Sequence, residues 1–219
     1  MPVAPAIPLA AGSRRKGERT AERILDAAEA LFAERGFDGA TLRDVADRVG
    51  LRIPSLYNHF ASKDSLYAAV LERGIGPVLE VLGEFVDARD TDSRDSGRVV
   101  ERVMALLARR PNLPRLVLHE MLSGGQRLTP VLRGWIAPAF ARAHEMVEAT
   151  PGARRWEREQ VPLLVLAVFH AVVGYFAIAP LYRELNGIDL LADSSLERQT
   201  RLMREIVAAL FRLDAASEP

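Results

Sequence analysis

The chain has 219 residues, 49% of them hydrophobic, with 29 basic and 29 acidic side chains and no cysteine. Such a composition can build a real core, excludes a disulfide framework and any thiolate chemistry or thiolate metal site, and points to a reducing compartment, the cytoplasm. The balanced charge excludes a global pull toward nucleic acid or membrane, so any polyanion must be met by a local patch.

The first thirteen residues, MPVAPAIPLAAGS, carry no charged side chain and are broken by prolines. The basic residues Arg14, Arg15 and Lys16 follow this stretch, whereas a signal peptide needs them before it, so residues 1–16 are expected to be a disordered tail. Thr20 is positioned to cap a first helix with Ile24, Ala28, Leu31 and Phe32 inward and Gly36 at its end. Thr41 with Asp44 has capping-box spacing and opens a second helix, with Leu42, Val45, Ala46 and Val49 inward and Gly50 as its stop. Pro54 suits the first turn of a third helix over 54–60, with Leu56 and Phe60 as its buried pair. Ser62 then caps a fourth helix, in which a kink or break is expected near Gly74–Pro77.

Longer helices are expected at 94–110, 113–122, 128–149, 155–185 and 194–213. The last carries Leu202, Met203, Ile206, Leu210 and Phe211 on one side and Arg198, Arg201 and Glu205 on the other. No run alternates with the period of a strand. The fold class is therefore all-α: an N-terminal helix-turn-helix unit of three short helices over residues 17–73, then a larger helical body over 74–214.

A short helix, a glycine turn and a second short helix form the spacing of a helix-turn-helix, in which one helix braces on phosphates and the other enters the major groove of DNA. With Leu56 and Phe60 inward, Ser55, Tyr57, Asn58 and His59 are left to hydrogen-bond phosphates and base edges. Lys63 adds a cation at a helix N-terminus, and Arg43 has the reach for guanine. For Tyr57 a half-buried packing role competes with this reading, and for His59 a capping bond does.

The stretch ATLRDVADRVGLRIPSLYNHFASKDSLYAAV, residues 40–70, resembles the DNA-binding segment of TetR-family transcriptional regulators. The resemblance rests on Thr41, Val45-Ala46, Gly50-Leu51, the Leu56-Tyr57-x-His59-Phe60 run, and Lys63 with Leu66. It implies base contacts from Arg43, Ile53, Pro54 and Tyr57, and phosphate contacts from Thr41, Ser55, Asn58, His59 and Lys63. Ile53 stands where some members carry a polar residue, and suits a thymine methyl rather than a hydrogen bond. Arg52 is unusually basic for the turn and offers a further phosphate contact. The group Arg14, Arg15, Lys16 and Arg19 either arms the first helix toward DNA or is a solvated tail.

Several tempting motifs fail. Leu122–Gln126 reads LSGGQ, but no Gly-Lys-Ser/Thr loop accompanies it, so a plain turn is expected. His119-Glu120 lacks the second histidine of a zinc pair, and the four histidines have no ligand spacing. No GxSxG occurs. The chain is read as no enzyme, without cofactor or metal.

Residues 161–182 run 22 positions without Asp, Glu, Lys or Arg. That length can cross a bilayer. A helix buried in a bundle core or dimer interface is the preferred reading, because His170 interrupts the span, Pro162 and Pro180 flank it, and Ala167, Ala171 and Gly174 recur at close-packing spacing. With residues 194–213 it would form a homodimer interface, which lets two copies read a palindrome in double-stranded DNA. The middle helices could enclose a small hydrophobic effector. Its candidate lining is Met104, Leu107, Met121, Trp135, Phe140, Phe169 and Tyr175, with His119, His144 and His170 as polar anchors; ordinary core packing competes for each apolar residue. The function expected is a ligand-released repressor, the alternatives being a membrane-tethered regulator or an all-α protein using its helix-turn-helix for protein contacts.

Overall fold

A computed structural model describes residues 11–87, 96–133, 156–157 and 159–211, and among these it contains helices and no strand. The chain divides into two compact units, Met1–Val70 and Leu71–Pro219.

In the first unit, α1 spans Ala11–Gly39. Thr20 lies inside this helix and does not cap it. A cap acts only where the chain enters from extended backbone. Here the preceding Arg15, Lys16, Glu18 and Arg19 are good helix formers that carry the helix further back. Residues 11–16, expected in the tail, are helical for the same reason. Ile24, Ala28, Leu31 and Phe32 are buried as expected. Gly36, with φ of 69°, breaks the helix, and one further turn follows it. Only glycine adopts that angle without strain.

Helix α2 spans Leu42–Val49 and α3 spans Ile53–Tyr57. Helix α3 stops earlier than the expected residue 60, and Phe60 is half-buried rather than buried. Asn58 and His59 turn the chain out of the helix, with the His59 and Phe60 amides both donating to the Leu56 carbonyl.

Helix α4, Lys63–Asp87, begins in the first unit and ends in the second. Ser62 and Ser65 cap its start reciprocally, each backbone N–H donating to the other's hydroxyl at 2.9 and 3.0 Å. The helix runs on through Pro77, so of the expected kink or break there is no break. Gly76 removes the Cβ that would clash with the proline ring, which leaves the lost ladder bond and the ring's crowding of the Arg73 carbonyl as the cost. Gly74 faces Leu113 so closely that a Cβ there would lie 2.5 Å from Leu113 Cδ1.

In the second unit, α5 spans Ser96–Arg109 and α6 spans Asn112–Leu122. The LSGGQ stretch is the turn that follows, with Gly124 and Gly125 at positive φ. Glu120, 2% exposed, shapes this turn. Its carboxylate accepts the backbone N–H of Arg127 at 2.6 Å and of Leu128 at 3.3 Å. It thereby caps α7, of which residues 128–133 are described.

Helix α8 spans Gln160–Asn186 and α9 spans Asp193–Phe211. Val172, Val173, Phe176 and Ala179 form the buried side of α8. Its other side leaves Leu163, Leu166, Ile178, Leu181 and Leu185 exposed. On α9 the buried pair is Met203 and Val207. Leu202 and Ile206, expected on the same apolar side as Met203, are instead exposed at 50% and 38%. The apolar arc of this helix is wider than the face that its neighbours cover, so α5 and α8 take one edge of it.

Candidate nucleic-acid interface

The site is built on α2. Thr41 Oγ1 accepts the Asp44 N–H at 3.1 Å, and Asp44 Oδ2 accepts both the Thr41 N–H at 2.9 Å and the Thr41 hydroxyl at 2.7 Å. The capping box read in the sequence is complete. It commits the Thr41 hydroxyl proton to Asp44, so Thr41 orients α2 here.

These hydrogen bonds also set a charge. The Thr41 hydroxyl, then the Thr41 N–H, hold the Asp44 carboxyl below its ordinary range, aided by Arg35 and opposed by partial desolvation. The Arg35 guanidinium lies 3.7 Å away. A carboxyl lowered in the folded state adds stability above its unfolded value of about 3.9, and that stability is lost as pH falls through the folded value. Thermal unfolding followed from about pH 5 to about pH 2 is expected to show this acid loss in the native chain. Asp44→Asn should remove that component; an identical acid limb in the variant would dismiss the assignment.

At the other end of α2, Gly50 adopts φ of 68° and closes the helix. The Leu51 N–H reaches back to the Ala46 carbonyl at 2.9 Å. Arg23 of α1 donates to the Val49 carbonyl at 2.7 Å and so clamps the C-terminus of α2. A cation at a helix C-terminus also meets the negative end of the dipole. Sequence reading missed Arg23; its only signal was a charged position on the outer side of a helix.

Helix α3 follows with Arg52 at its N-cap and Pro54 in its first turn. Leu56 is its fully buried side chain, packed in the same core as Val45, Ala46 and Val49. A helix anchored by one residue presents its other positions outward. Tyr57 is 50% exposed. Thr41, Arg43, Arg52, Pro54, Asn58 and His59 are also exposed, while Ile53, Ser55 and Lys63 are half-buried. The ten sequence-derived DNA-contact candidates lie on α2, α3, the start of α4 and the caps and turn between them. Lys63 projects its Nζ over the ring of Phe37, 4.2 Å from the centroid.

The effector candidates are placed differently. Met104 and Leu107 are buried on α5. His119 is exposed on α6, and Met121 is 37% exposed. On α8, Phe169 is half-buried and His170 is exposed, its Nδ1 bonded to the Leu166 carbonyl. Tyr175 gives its hydroxyl to the Leu190 carbonyl, and burial raises its pKa. Trp135, Phe140 and His144 lie outside the described residues. An open groove of about 560 Å³ runs between α5 and α9, and only Met104 of the candidates lines it. Its other walls include the charged residues Glu101, Asp193, Glu197, Arg201 and Arg204.

Residues 24–70, which contain this whole interface, match the model of bacterial regulatory proteins of the tetR family. By these residues the chain is similar to the DNA-binding segment of the tetR family. The segment of this chain that matches the transcriptional repressor KstR2 of Rhodococcus jostii is 42% identical over 84 residues, 36% of the chain and 40% of that protein. A second match, to the transcriptional activator FasR of Mycolicibacterium smegmatis, is 41% identical over 70 residues, 30% of the chain and 32% of that protein. The matched segments thus span well under half of either relative. A crystal structure of a TetR-like transcriptional regulator from Rhodococcus sp. RHA1 superimposes with a TM-score of 0.62, covering 87% of this chain and 95% of that one at 16% identity. At that identity the likeness establishes the shared fold.

Proposed function

We propose that the chain is a cytoplasmic, homodimeric transcriptional repressor that binds a palindromic operator in double-stranded DNA and is released by a small hydrophobic effector. The observation that carries the reading is the presentation of α3: Leu56 is fully buried while Tyr57, Asn58 and His59 stand outward. On this reading α3 enters the major groove, which is about 12 Å wide, while α2 braces across the phosphates. Arg43 and Tyr57 reach base edges, with Ile53 and Pro54 making apolar contact. Arg52, Ser55, Asn58, His59 and Lys63 hold the backbone, and Thr41 keeps α2 in place.

One reading helix covers few base pairs, so two copies are needed, their half-sites about 34–36 Å apart or a multiple of that. The exposed apolar side chains of α8 and α9 supply a surface for the second copy. Effector binding would act as a population shift carried along α4, which has residues in both units. Moving the equilibrium from nearly all DNA-competent to nearly none needs a differential affinity of about 5.5 kcal/mol.

Selection of bound fragments from random duplex DNA is expected to return an inverted repeat. Affinity for the selected duplex should fall steeply with salt, and Lys63→Ala should lower the slope of log K against log salt by about 1. Tyr57→Phe should cost about 1–3 kcal/mol and relax selectivity at one base pair. A chain that binds no duplex even at low salt refutes the reading.

A second reading is favoured by one observation. Pro162–Asn186 is long and apolar enough to cross a membrane. A regulator tethered by α8 would sediment with the membrane fraction, and the dimeric repressor would not. Use of the helix-turn-helix for protein contacts alone would leave DNA affinity without a salt slope.

A further inference from the structure

Lys63 is held by a ring from another helix. Its Nζ lies 4.2 Å from the centroid of Phe37. Phe37 occupies the final turn of α1, just past the break at Gly36. Its ring meets Tyr67 edge-on at 5.0 Å and lies near parallel to Phe32 at 6.1 Å. Phe32 and Tyr67 also pack edge-on at 4.8 Å, and both are almost fully buried. The ring beneath Lys63 is therefore fixed by a rigid aromatic cluster.

We propose that Phe37 is a positioning residue for DNA binding, holding the Lys63 ammonium over the first turn of α4 so that it meets a phosphate already oriented. The proposal rests on the DNA-binding reading above and deepens it. A lysine stem has four rotatable carbons, and ordering them on binding weakens affinity. A ring face attracts the ammonium and removes part of that freedom beforehand. A carboxylate partner would do the same but would neutralise the charge, and it would have to be displaced by the phosphate. The ring is neutral, so the full positive charge remains for the DNA. An ammonium has three N–H groups; those directed away from the ring are available to a phosphate while the cation–π contact persists.

The test is a double-mutant cycle on the full chain with the selected inverted-repeat duplex, using Phe37→Leu, Lys63→Gln and the double variant, with Phe37→Tyr as the conservative substitution. Phe37→Leu is expected to weaken binding about two- to five-fold. It should cost nothing further in the Lys63→Gln background, and Phe37→Tyr should restore the affinity. An equal loss from Phe37→Leu in both backgrounds would reduce Phe37 to a packing residue and overturn the proposal. Lys63→Gln with an unchanged salt slope would also overturn it while leaving DNA binding intact. Absence of binding by the native chain would sink both readings together.

Should Phe37→Leu fail to fold, the ring-current shift of the Lys63 ε-methylene protons in the native chain decides the matter. Its persistence in the DNA complex supports the proposal. Its loss on adding DNA shows the ammonium leaving the ring to reach the phosphate, and overturns it.

Discussion

Gly174→Glu is expected to leave the subunit folded and to abolish its dimer. Gly174 lies midway along α8, on the same side as Leu163, Leu166, Ile178 and Leu181, which are between 45% and 63% exposed. Among the described residues a Cβ at Gly174 would meet nothing within 4 Å, so there is room for a side chain to start there. Replacing a mid-helix glycine gains up to about 1 kcal/mol of helix propensity, so thermal stability of the monomer should not fall. In a dimer packed along this side, the new carboxylate would be buried against apolar side chains and, near the twofold axis, against its own copy. Burying an unpaired charge costs several kcal/mol, more than one interface can absorb without separating. The second half-site contact would then be lost, and operator affinity should drop by about 10²–10⁴-fold. Sedimentation and fluorescence anisotropy measure the two effects on the same sample. A variant that stays dimeric would place the partner surface elsewhere.

Leu56→Ala should lower stability and DNA affinity together. Leu56 is 0% exposed, whereas the other side chains of α3 are partly or fully exposed. A helix of five residues has no stability of its own and exists only because it is packed. Truncating a buried leucine costs about 2–5 kcal/mol, and here the lost contact is also the anchor that orients Tyr57, Asn58 and His59. Denaturant unfolding should show a loss in that range, and amide exchange should quicken through residues 53–60. DNA affinity should fall with it, in contrast to Tyr57→Phe, which changes a half-exposed side chain and should leave stability unaltered. A loss below about 1 kcal/mol with affinity intact would mean that α3 is held by something other than Leu56.

Much of the local structure of the candidate interface was legible in the chain because its signals are local. Thr41 and Asp44 need only their own spacing to close the capping box, and Gly50 needs only its lack of a Cβ to end α2. Ser62 and Ser65 cap α4 by the same local rule, and Pro54 and Leu56 mark the start and the inner side of α3. Local signals misled where the neighbouring sequence overrode them. Thr20 could not start a helix that its predecessors already formed, and Pro77 could not stop one in which Gly76 relieved its clash.

What the sequence by itself determined was the helical period, most of the caps, and the set of polar side chains left over once Leu56 turned inward. Those depend on residues within one or two turns of each other. Only the tertiary structure decided that Arg23 clamps α2, that Phe37 lies beneath Lys63, that Glu120 caps the turn before α7, and that Leu202 and Ile206 face outward beside a buried Met203. Each of these joins or separates side chains through packing between elements. The period of a helix says that an apolar side exists, but which neighbour covers it is settled only when the helices assemble.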